Sequence, residues 1–212
     1  MSENSNPESI TDLEKILGHI EKHDSYTRMH SERVGELMRI FAGAVHLPES
    51  HIELMEISGF LHDIGKLRIH EGILDKISHG LSLDDDEKDM MKLHVDSREI
   101  LNGLGIDSSV VITAVRHHHE CWDGSGYPDG LVGDEIPPAA RMLAICDLFD
   151  AISEDRINHR GAGRKKAIKV LRDIEGVKTD PKLSEIFISN VLPGYKQSAF
   201  TRFLNSLIRF FT

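Results

Sequence analysis

The chain has 212 residues, of which 40% are hydrophobic and 28% charged, proportions typical of a globular domain in water. Its formal net charge of −10 at pH 7 argues against a general nucleic-acid-binding protein, because that function needs a basic surface. Two cysteines, Cys121 and Cys146, are too few for a disulfide framework or a cysteine-rich zinc site. No apolar run approaches the roughly 20 residues of a membrane span, and the N-terminus lacks a secretory signal, so a cytoplasmic protein is expected.

Apolar residues recur at helical spacing along the first half of the chain. A first helix is predicted from about residue 11 to 23, a second from about 27 to 46 and a third from about 50 to 64. Residues 65–83 are predicted to form an irregular connection. Convincing two-residue alternation is missing from the whole sequence, which indicates an all-α fold, a single compact bundle of about 7–9 helices.

The second half continues the helical pattern. Ser82 or Asp84 would cap a helix reaching to about residue 103. Its buried face would carry Met90, His94 and Leu101. Another apolar stripe follows at Val111, Val115, His118 and Trp122.

Two prolines mark the start of the next predicted helix, Pro137 and Pro138. Its buried face would carry Ala140, Ala144, Asp147 and Ala151. A helix from about 164 to 175 is expected after the Gly-Ala-Gly break at 161–163.

Several histidines and aspartates fall on helix faces that should bury only carbon. Burying such groups singly is costly, and a metal cluster would compensate them together. The interior-facing set comprises His30, His62, Asp63, His94, the triplet His117-His118-His119, and Asp147. The remaining histidines are expected at the surface or in loops: His19, His23, His46, His51, His70 and His79.

The types of ligand narrow the metal and the chemistry. Imidazole and carboxylate without thiolate favour Fe, Mn, Zn, Ni or Co. The donors suffice for two ions, with Asp63 able to bridge them. Paired ions about 3.5–4 Å apart generate a hydroxide and clamp both oxygens of a phosphoryl displacement. Lys66 lies one turn after Asp63 and would stabilise phosphate charge, the alternative being a solvated lysine.

Three motifs carry a resemblance to a known family: HDIGK at 62–66, HHE at 118–120 and DGSGYPDGL at 123–131. In this order and spacing they resemble the HD-GYP family of cyclic di-GMP phosphodiesterases, a branch of the HD-domain metal-dependent phosphohydrolases. HSERV at 30–34 and AICDLFDAI at 144–152 also match.

The resemblance implies three parts to the chain. They are a tail and first helix at 1–23, an HD-type catalytic bundle at 24–190, and a C-terminal amphipathic helix at 191–212. The last helix would pack on the bundle, with a homodimer contact, a regulatory partner or attachment to a membrane surface as alternatives.

The resemblance also implies roles for individual residues. The ligands of two divalent ions, Fe or Mn first and Ni, Co or Zn as alternatives, would be His30, His62, Asp63, His94, His118, His119 and Asp147. Asp63 would bridge and Lys66 would contact phosphate, while His117 is left out. A lip of Gly126, Tyr127 and Pro128 would border the substrate groove, and Asp150 and Arg156 would complete the substrate contacts.

The chain departs from the family pattern at two places. Family members with a third metal have a glutamate where this chain has Tyr26, so two ions are expected rather than three. Where the family usually has Arg-Pro-Tyr followed by a basic residue, this chain keeps Arg156 but continues with Ile157-Asn158-His159, which leaves the substrate open.

These features predict an enzyme that hydrolyses cyclic di-GMP to linear pGpG through a metal-bridging hydroxide, with further cleavage to GMP left open. One alternative is a phosphohydrolase for another cyclic dinucleotide or nucleotide. A second alternative is a nucleotide-sensing interaction module that binds without turnover.

Overall fold

The computed structural model describes residues 25–79, 81–154 and 162–195. These residues form helices and turns with one isolated β-bridge between Glu175 and Thr179, and the predicted all-α fold is confirmed. The predicted helices at 11–23 and beyond residue 195 lie outside the described residues. Among the described helices, none is long and apolar enough to cross a membrane.

The α-helices begin and end close to the predicted positions in most of the chain. In chain order they are α1 (Ser25–Ala44), α2 (Glu49–Leu61), α3 (Glu71–Ser78), α4 (Asp85–Lys92), α5 (Arg98–Gly103), α6 (Ser109–His117), α7 (Pro138–Ser153), α8 (Arg164–Ile174) and α9 (Pro181–Ile186). Short 3-10 helices lie at Ile64–Arg68, Leu93–Val95, Gly133–Glu135 and Leu192–Gly194, and one π-helical turn spans Phe187–Val191.

Helices α1 and α2 pack closely because each presents a glycine to the other. A Cβ added to Gly59 of α2 would lie 2.8 Å from the Cα of Gly35 on α1, and a Cβ added to Gly35 would lie 3.1 Å from the carbonyl oxygen of Glu56. Since real Cβ atoms are essentially never found within 3.0 Å of other atoms, a side chain at position 59 would force the helices to shift, and one at position 35 would make an unusually tight contact. The crossing places α1 directly against the helix that ends at the His62-Asp63 pair.

Two buried apolar clusters hold the helices together. The larger one joins α1, α7, α8 and the C-terminal turns, with Phe41 and Phe187 in ring contact 5.3 Å apart. The smaller one joins the end of α2 to α5 and α6 through Leu61, Leu101 and Val115. Burial of these side chains is the main source of stability, at about 25 cal/mol per Å² of apolar surface.

The segment between residues 65 and 103 differs from its prediction. The supposed irregular connection contains helix α3, which is tied to α4 by the Lys76–Glu87 ion pair. The supposed single helix up to residue 103 is broken into α4, a 3-10 turn and α5, and Met90 is 42% exposed rather than buried.

The break in this segment has a tertiary cause. Gly65 lies so close to residue 94 that an added Cβ would overlap the carbonyl of His94, and this carbonyl accepts a hydrogen bond from the Ser97 hydroxyl at 2.6 Å. The oxygen is therefore taken out of the helical ladder. At the other end, Asp84 caps α4 as predicted, in a reciprocal capping box with Glu87.

Helix α7 begins at Pro138 as predicted, but its buried face is shifted. Ala140 is fully buried, whereas Ala144, Asp147 and Ala151 are only partly buried. The deeper positions of α7 are Leu143, Ile145, Cys146, Phe149 and Asp150. Asp147 thus borders the interior, where its carboxylate can meet side chains from other helices.

Candidate metal centre

The seven predicted ligands meet at one place. They come from five parts of the fold: His30 from α1, His62 and Asp63 after α2, His94 from a 3-10 turn, His118 and His119 after α6, and Asp147 from α7. The Nε2 atom of His30 lies 3.2 Å from Nε2 of His62 and 3.1 Å from Oδ1 of Asp147. The Nε2 atoms of His94 and His119 are 3.1 Å apart.

These ligands form two neighbouring groups, His94 with His118 and His119, and His30 with His62 and Asp63. Within each group the ligand atoms lie within 4.8 Å of one another. Asp63 faces both groups, because its Oδ2 is 3.4 Å from Nε2 of His62 and its Oδ1 is 3.8 Å from Nε2 of His94. Its carboxylate therefore has the position of a bridge.

The ends of helices aim three of the histidines. The Nδ1 atoms of His62 and His118 each lie 2.7 Å from the carbonyl oxygen three residues earlier, that of Gly59 and of Val115, and His94 has the same contact with Met91. Carbonyls in the last turn of a helix lack a helical partner, so they accept the Nδ1 proton. This tautomer turns the Nε2 lone pair inward, as a metal ligand requires.

His118 provides the test of whether this set of donors fits a cation. Its Nε2 atom is buried and has no hydrogen-bond partner among the described residues. Burial and the neighbouring His119 hold the pKa of His118 well below its usual value, so the ring is neutral. A buried orphan lone pair is rare and costly. A cation between the two groups would satisfy it, so the residues fit a metal.

The Asp150 carboxylate and the Arg33 guanidinium hold the ring of His30 in position. Its Nδ1 donates to Oδ2 of Asp150 at 2.7 Å, and Arg33 donates from Nε to Oδ1 at 2.7 Å and from Nη2 to Oδ2 at 2.9 Å. Burial disfavours a charged His30, but the hydrogen bonds to Asp147 and Asp150 outweigh it and raise its pKa to about 9. A cation at Nε2 would replace that proton.

The position of Asp150 corrects the expectation that it contacts substrate. Its side chain is almost fully buried, and both of its oxygens are occupied by His30 and Arg33. A substrate contact does not fit this arrangement. The carboxylate instead orients a ligand, as partners of metal-bound histidines commonly do.

The carboxylates of the centre are ionised and two of its histidines are neutral. Burial disfavours the charge on Asp63, but Lys66 and the surrounding histidines hold its pKa well below the usual range. The hydrogen bond from His30 and the nearby histidines likewise lower the pKa of Asp147. Burial lowers the pKa of His119 to about 4. Neutral imidazoles and ionised carboxylates are the forms that bind metal.

Lys66 and Tyr127 flank the centre. Lys66 donates from Nζ to Oδ2 of Asp63 at 2.6 Å and keeps 30% of its side chain exposed, so it can reach a ligand from solvent. The ring of Tyr127 stacks on His119, with centroids 5.0 Å apart and an interplanar angle of 21°. The Tyr127–Pro128 peptide bond is cis.

The loop that carries Tyr127 is anchored by a buried carboxylate. Glu120 accepts hydrogen bonds from the backbone N–H groups of Asp129 at 2.7 Å, Gly130 at 3.1 Å and Leu131 at 3.2 Å. Gly126 folds back against the same residue, since an added Cβ would lie 2.5 Å from the Cα of Glu120. The lip of Gly126, Tyr127 and Pro128 is thus fixed beside the histidines.

Other predicted residues lie elsewhere. His117 bonds Asp129 and the Thr113 carbonyl, apart from the centre, in agreement with its omission from the ligands. His46, His51, His70 and His79 are exposed as predicted, whereas His19, His23, Arg156, His159 and the side chain of Tyr26 lie outside the description. Sequence reasoning missed the roles of Arg33, Glu120 and Asp129, although they stand inside the HSERV, HHE and DGSGYPDGL motifs.

Comparison with known proteins places the chain in a family. The model of the HD domain family matches residues 15–183. A cyclic di-GMP phosphodiesterase of Pseudomonas aeruginosa is 35% identical over 177 residues, which are 82% of this chain and 42% of that protein. A 3'3'-cGAMP-specific phosphodiesterase of Vibrio cholerae is 33% identical over 177 residues, 81% of this chain and 33% of that protein. The chain therefore spans less than half the length of these curated relatives.

Among solved structures, a HDG"Y"P protein from Bdellovibrio bacteriovorus is similar in fold. Its TM-score is 0.61 at 20% identity, over 81% of this chain and 54% of that one. At this identity the likeness supports the fold alone.

Proposed function

The chain belongs to the HD domain family, and on that premise we propose that it is a metal-dependent phosphodiesterase that hydrolyses cyclic di-GMP to linear pGpG. The relatives with this activity match four fifths of the chain, including all three motifs. The single observation that carries the proposal is the convergence of seven ligands from five elements, with the orphan Nε2 of His118 among them.

We assign two divalent ions to the centre, one to each group of ligands, with Asp63 between them. Fe or Mn suits these imidazole and carboxylate donors, and Ni, Co or Zn would also be accepted. Bound cations would supply Lewis acidity and a nucleophile at neutral pH.

The residues of the chain itself bind and orient the substrate. Lys66 lies at the edge of the centre, where its ammonium would meet the oxygens of the scissile phosphodiester as their charge increases. Tyr127, stacked on His119, would form one wall of the substrate groove and keep bulk water away from the histidines. His30 is held by Asp150, so its lone pair does not turn away during the reaction.

A second candidate activity keeps the reaction and changes the substrate to a mixed cyclic dinucleotide. The observation that favours it is the similarity to the 3'3'-cGAMP-specific enzyme, at nearly the same identity and coverage as the cyclic di-GMP enzyme. The chain keeps Arg156 but departs from the family's usual residues at 157–159, in a segment that would contact substrate.

The test is a hydrolysis assay with anaerobically purified protein, after its metal content has been measured. Cyclic di-GMP, 3'3'-cGAMP and cyclic di-AMP are each incubated with the Fe- and Mn-loaded protein, and the products are separated as linear dinucleotide and mononucleotide. We expect preferential conversion of cyclic di-GMP to pGpG. Preference for 3'3'-cGAMP would select the second candidate, and turnover of none of the three would overturn the proposal.

Two variants control this assay. Asp63→Asn removes the bridging charge and should abolish turnover, whereas His51→Ala changes a histidine that is exposed on α2 and should leave it unchanged. Equal activity of wild type and Asp63→Asn would mean that the centre is not the site of hydrolysis.

A further inference from the structure

Two sets of hydrogen bonds hold the loop from Cys121 to Val132. Inside, Glu120 gathers the backbone N–H groups of residues 129–131. Outside, the side chain of Asp129 accepts three further hydrogen bonds. They come from Arg116 Nε at 3.2 Å, Arg116 Nη2 at 2.8 Å and His117 Nε2 at 2.9 Å. Asp129 is therefore held through both its backbone and its side chain.

The two residues that grip Asp129 belong to the same helical turn as two metal ligands. Arg116 and His117 end α6, and His118 and His119 follow directly. The turn thus points two side chains into the centre and two onto the loop. The residues that hold the loop are therefore adjacent in the chain to two of the predicted ligands.

The grip on Asp129 acts close to the lip. Tyr127 is two residues before Asp129, its N–H donates to the carbonyl of His119 at 3.2 Å, and its ring stacks on the imidazole. Because the peptide chain between Tyr127 and Asp129 is so short, a displacement of Asp129 would carry the tyrosine ring with it.

Stability alone does not account for this grip. The Asp129 side chain is 39% exposed, and ion pairs at such exposed positions contribute little to stability. The fork of Arg116 onto the carboxylate instead adds directional precision. His117, which is not among the predicted ligands, contacts the same oxygen, Oδ2, as Arg116 Nε.

We propose that Asp129 is a positioning residue. Held by Arg116 and His117, it fixes the lip of Gly126, Tyr127 and Pro128 against His119 and so shapes the groove for the half of a cyclic dinucleotide that is remote from the scissile phosphate. The proposal rests on the proposed function, because it assigns part of the same substrate groove.

The test compares Asp129→Ala with Asp89→Ala, a matched control. Asp89 also pairs with a basic side chain, Lys92, but on the exposed surface of α4. For each protein we measure metal content, hydrogen exchange of residues 124–131, and steady-state kinetics. Two substrates are used: cyclic di-GMP, and bis(p-nitrophenyl) phosphate, which has a phosphodiester but no second nucleotide.

In Asp129→Ala we expect faster exchange of residues 124–131 with unchanged metal content. The kcat/KM for cyclic di-GMP should fall about 10- to 100-fold, mainly through KM, as expected for a misplaced binding surface. Turnover of bis(p-nitrophenyl) phosphate should stay within about twofold, since that substrate has no second nucleotide for the lip to hold. Arg116→Lys, which keeps the charge but loses the fork, should give an intermediate loss.

Unchanged exchange in Asp129→Ala would overturn the proposal even in an active enzyme, as would equal losses on both substrates or a loss of metal. The exchange and metal measurements need no turnover, so failure of the proposal is distinguishable from failure of the proposed function. The latter would show as a wild-type protein that leaves cyclic di-GMP intact.

Discussion

In the metal centre, imidazole rings are oriented by hydrogen bonds to backbone carbonyls three residues earlier in the chain, such as the bond from His118 to Val115. In the neighbouring loop, backbone N–H groups are oriented by hydrogen bonds to one carboxylate, that of Glu120. Three rings of the centre are thus oriented by local carbonyls, and Nε2 of His118 has no partner among the described residues, whereas the loop is gathered by a side chain. The centre should depend on metal for its stability and the loop should not.

The largest expected effect comes from a substitution in the metal centre that should leave the loop unchanged. His118→Ala removes a buried ligand and should lower activity by more than about 10³-fold, beyond the loss of a single oxyanion donor. Metal content should fall below that of wild type, while hydrogen exchange of residues 124–131 stays the same. His51→Ala serves as the control. Faster hydrogen exchange of residues 124–131 in His118→Ala but not in His51→Ala would show that the loop depends on the centre.

Lys66→Ala should act on catalysis without acting on metal. We expect kcat to fall about 10²- to 10³-fold, because a charge beside the phosphate is lost while all ligands remain. Metal analysis and steady-state kinetics check this together. Lys88→Ala, which removes a lysine paired with Asp85 on the exposed face of α4, should be neutral. Loss of metal in Lys66→Ala would show that the lysine supports Asp63 rather than substrate.

Asp150→Asn should weaken metal binding by about 10- to 100-fold, the usual effect of losing a partner of a ligand histidine. An asparagine has one acceptor oxygen, so it cannot serve both His30 and the fork of Arg33. Titration calorimetry with Mn²⁺ measures the change, with Asp89→Asn as control. A wild-type affinity for Mn²⁺ in Asp150→Asn would show that Asp150 does not support metal binding.

Glu120→Gln should give the smallest effect on activity and act on stability. Either orientation of the amide turns an N–H₂ group toward a backbone N–H, which should lower the free energy of unfolding by about 1–3 kcal/mol. Urea denaturation measures it, and the control is Glu99→Gln, an exposed partner of Arg68. An affinity for Mn²⁺ that falls as much as in Asp150→Asn would show that loop and centre are not separable.

Features that depend on near neighbours in the chain could be predicted from the sequence. The His62-Asp63 pair, the cap at Asp84 and the start of α7 at Pro138 each depend on a few adjacent residues. The seven residues that meet at the centre were also identified, because buried histidines and aspartates need a common explanation, and the resemblance to the HD-GYP family supplied their predicted role as ligands.

Features that depend on contacts between distant residues could not be predicted from the sequence. The break at His94 follows from the approach of Gly65, and the burial of Asp150 follows from Arg33 and His30 more than a hundred residues away. Asp129 looks like an ordinary turn residue until Arg116 and His117 are placed beside it. Such pairings are set by tertiary packing, which apolar periodicity does not encode.

The glycine contact between α1 and α2 has a consequence for which cations the protein can hold. His30 lies on α1 and His62 directly follows α2, so the gap between their nitrogens depends on how near the backbones come at Gly35 and Gly59. A methyl group at Gly59 would push the helices apart and widen the gap without altering one ligand. Preference for an ion of larger radius could therefore be engineered, or acquired in evolution, at a crossing that neither cation nor nucleotide ever touches.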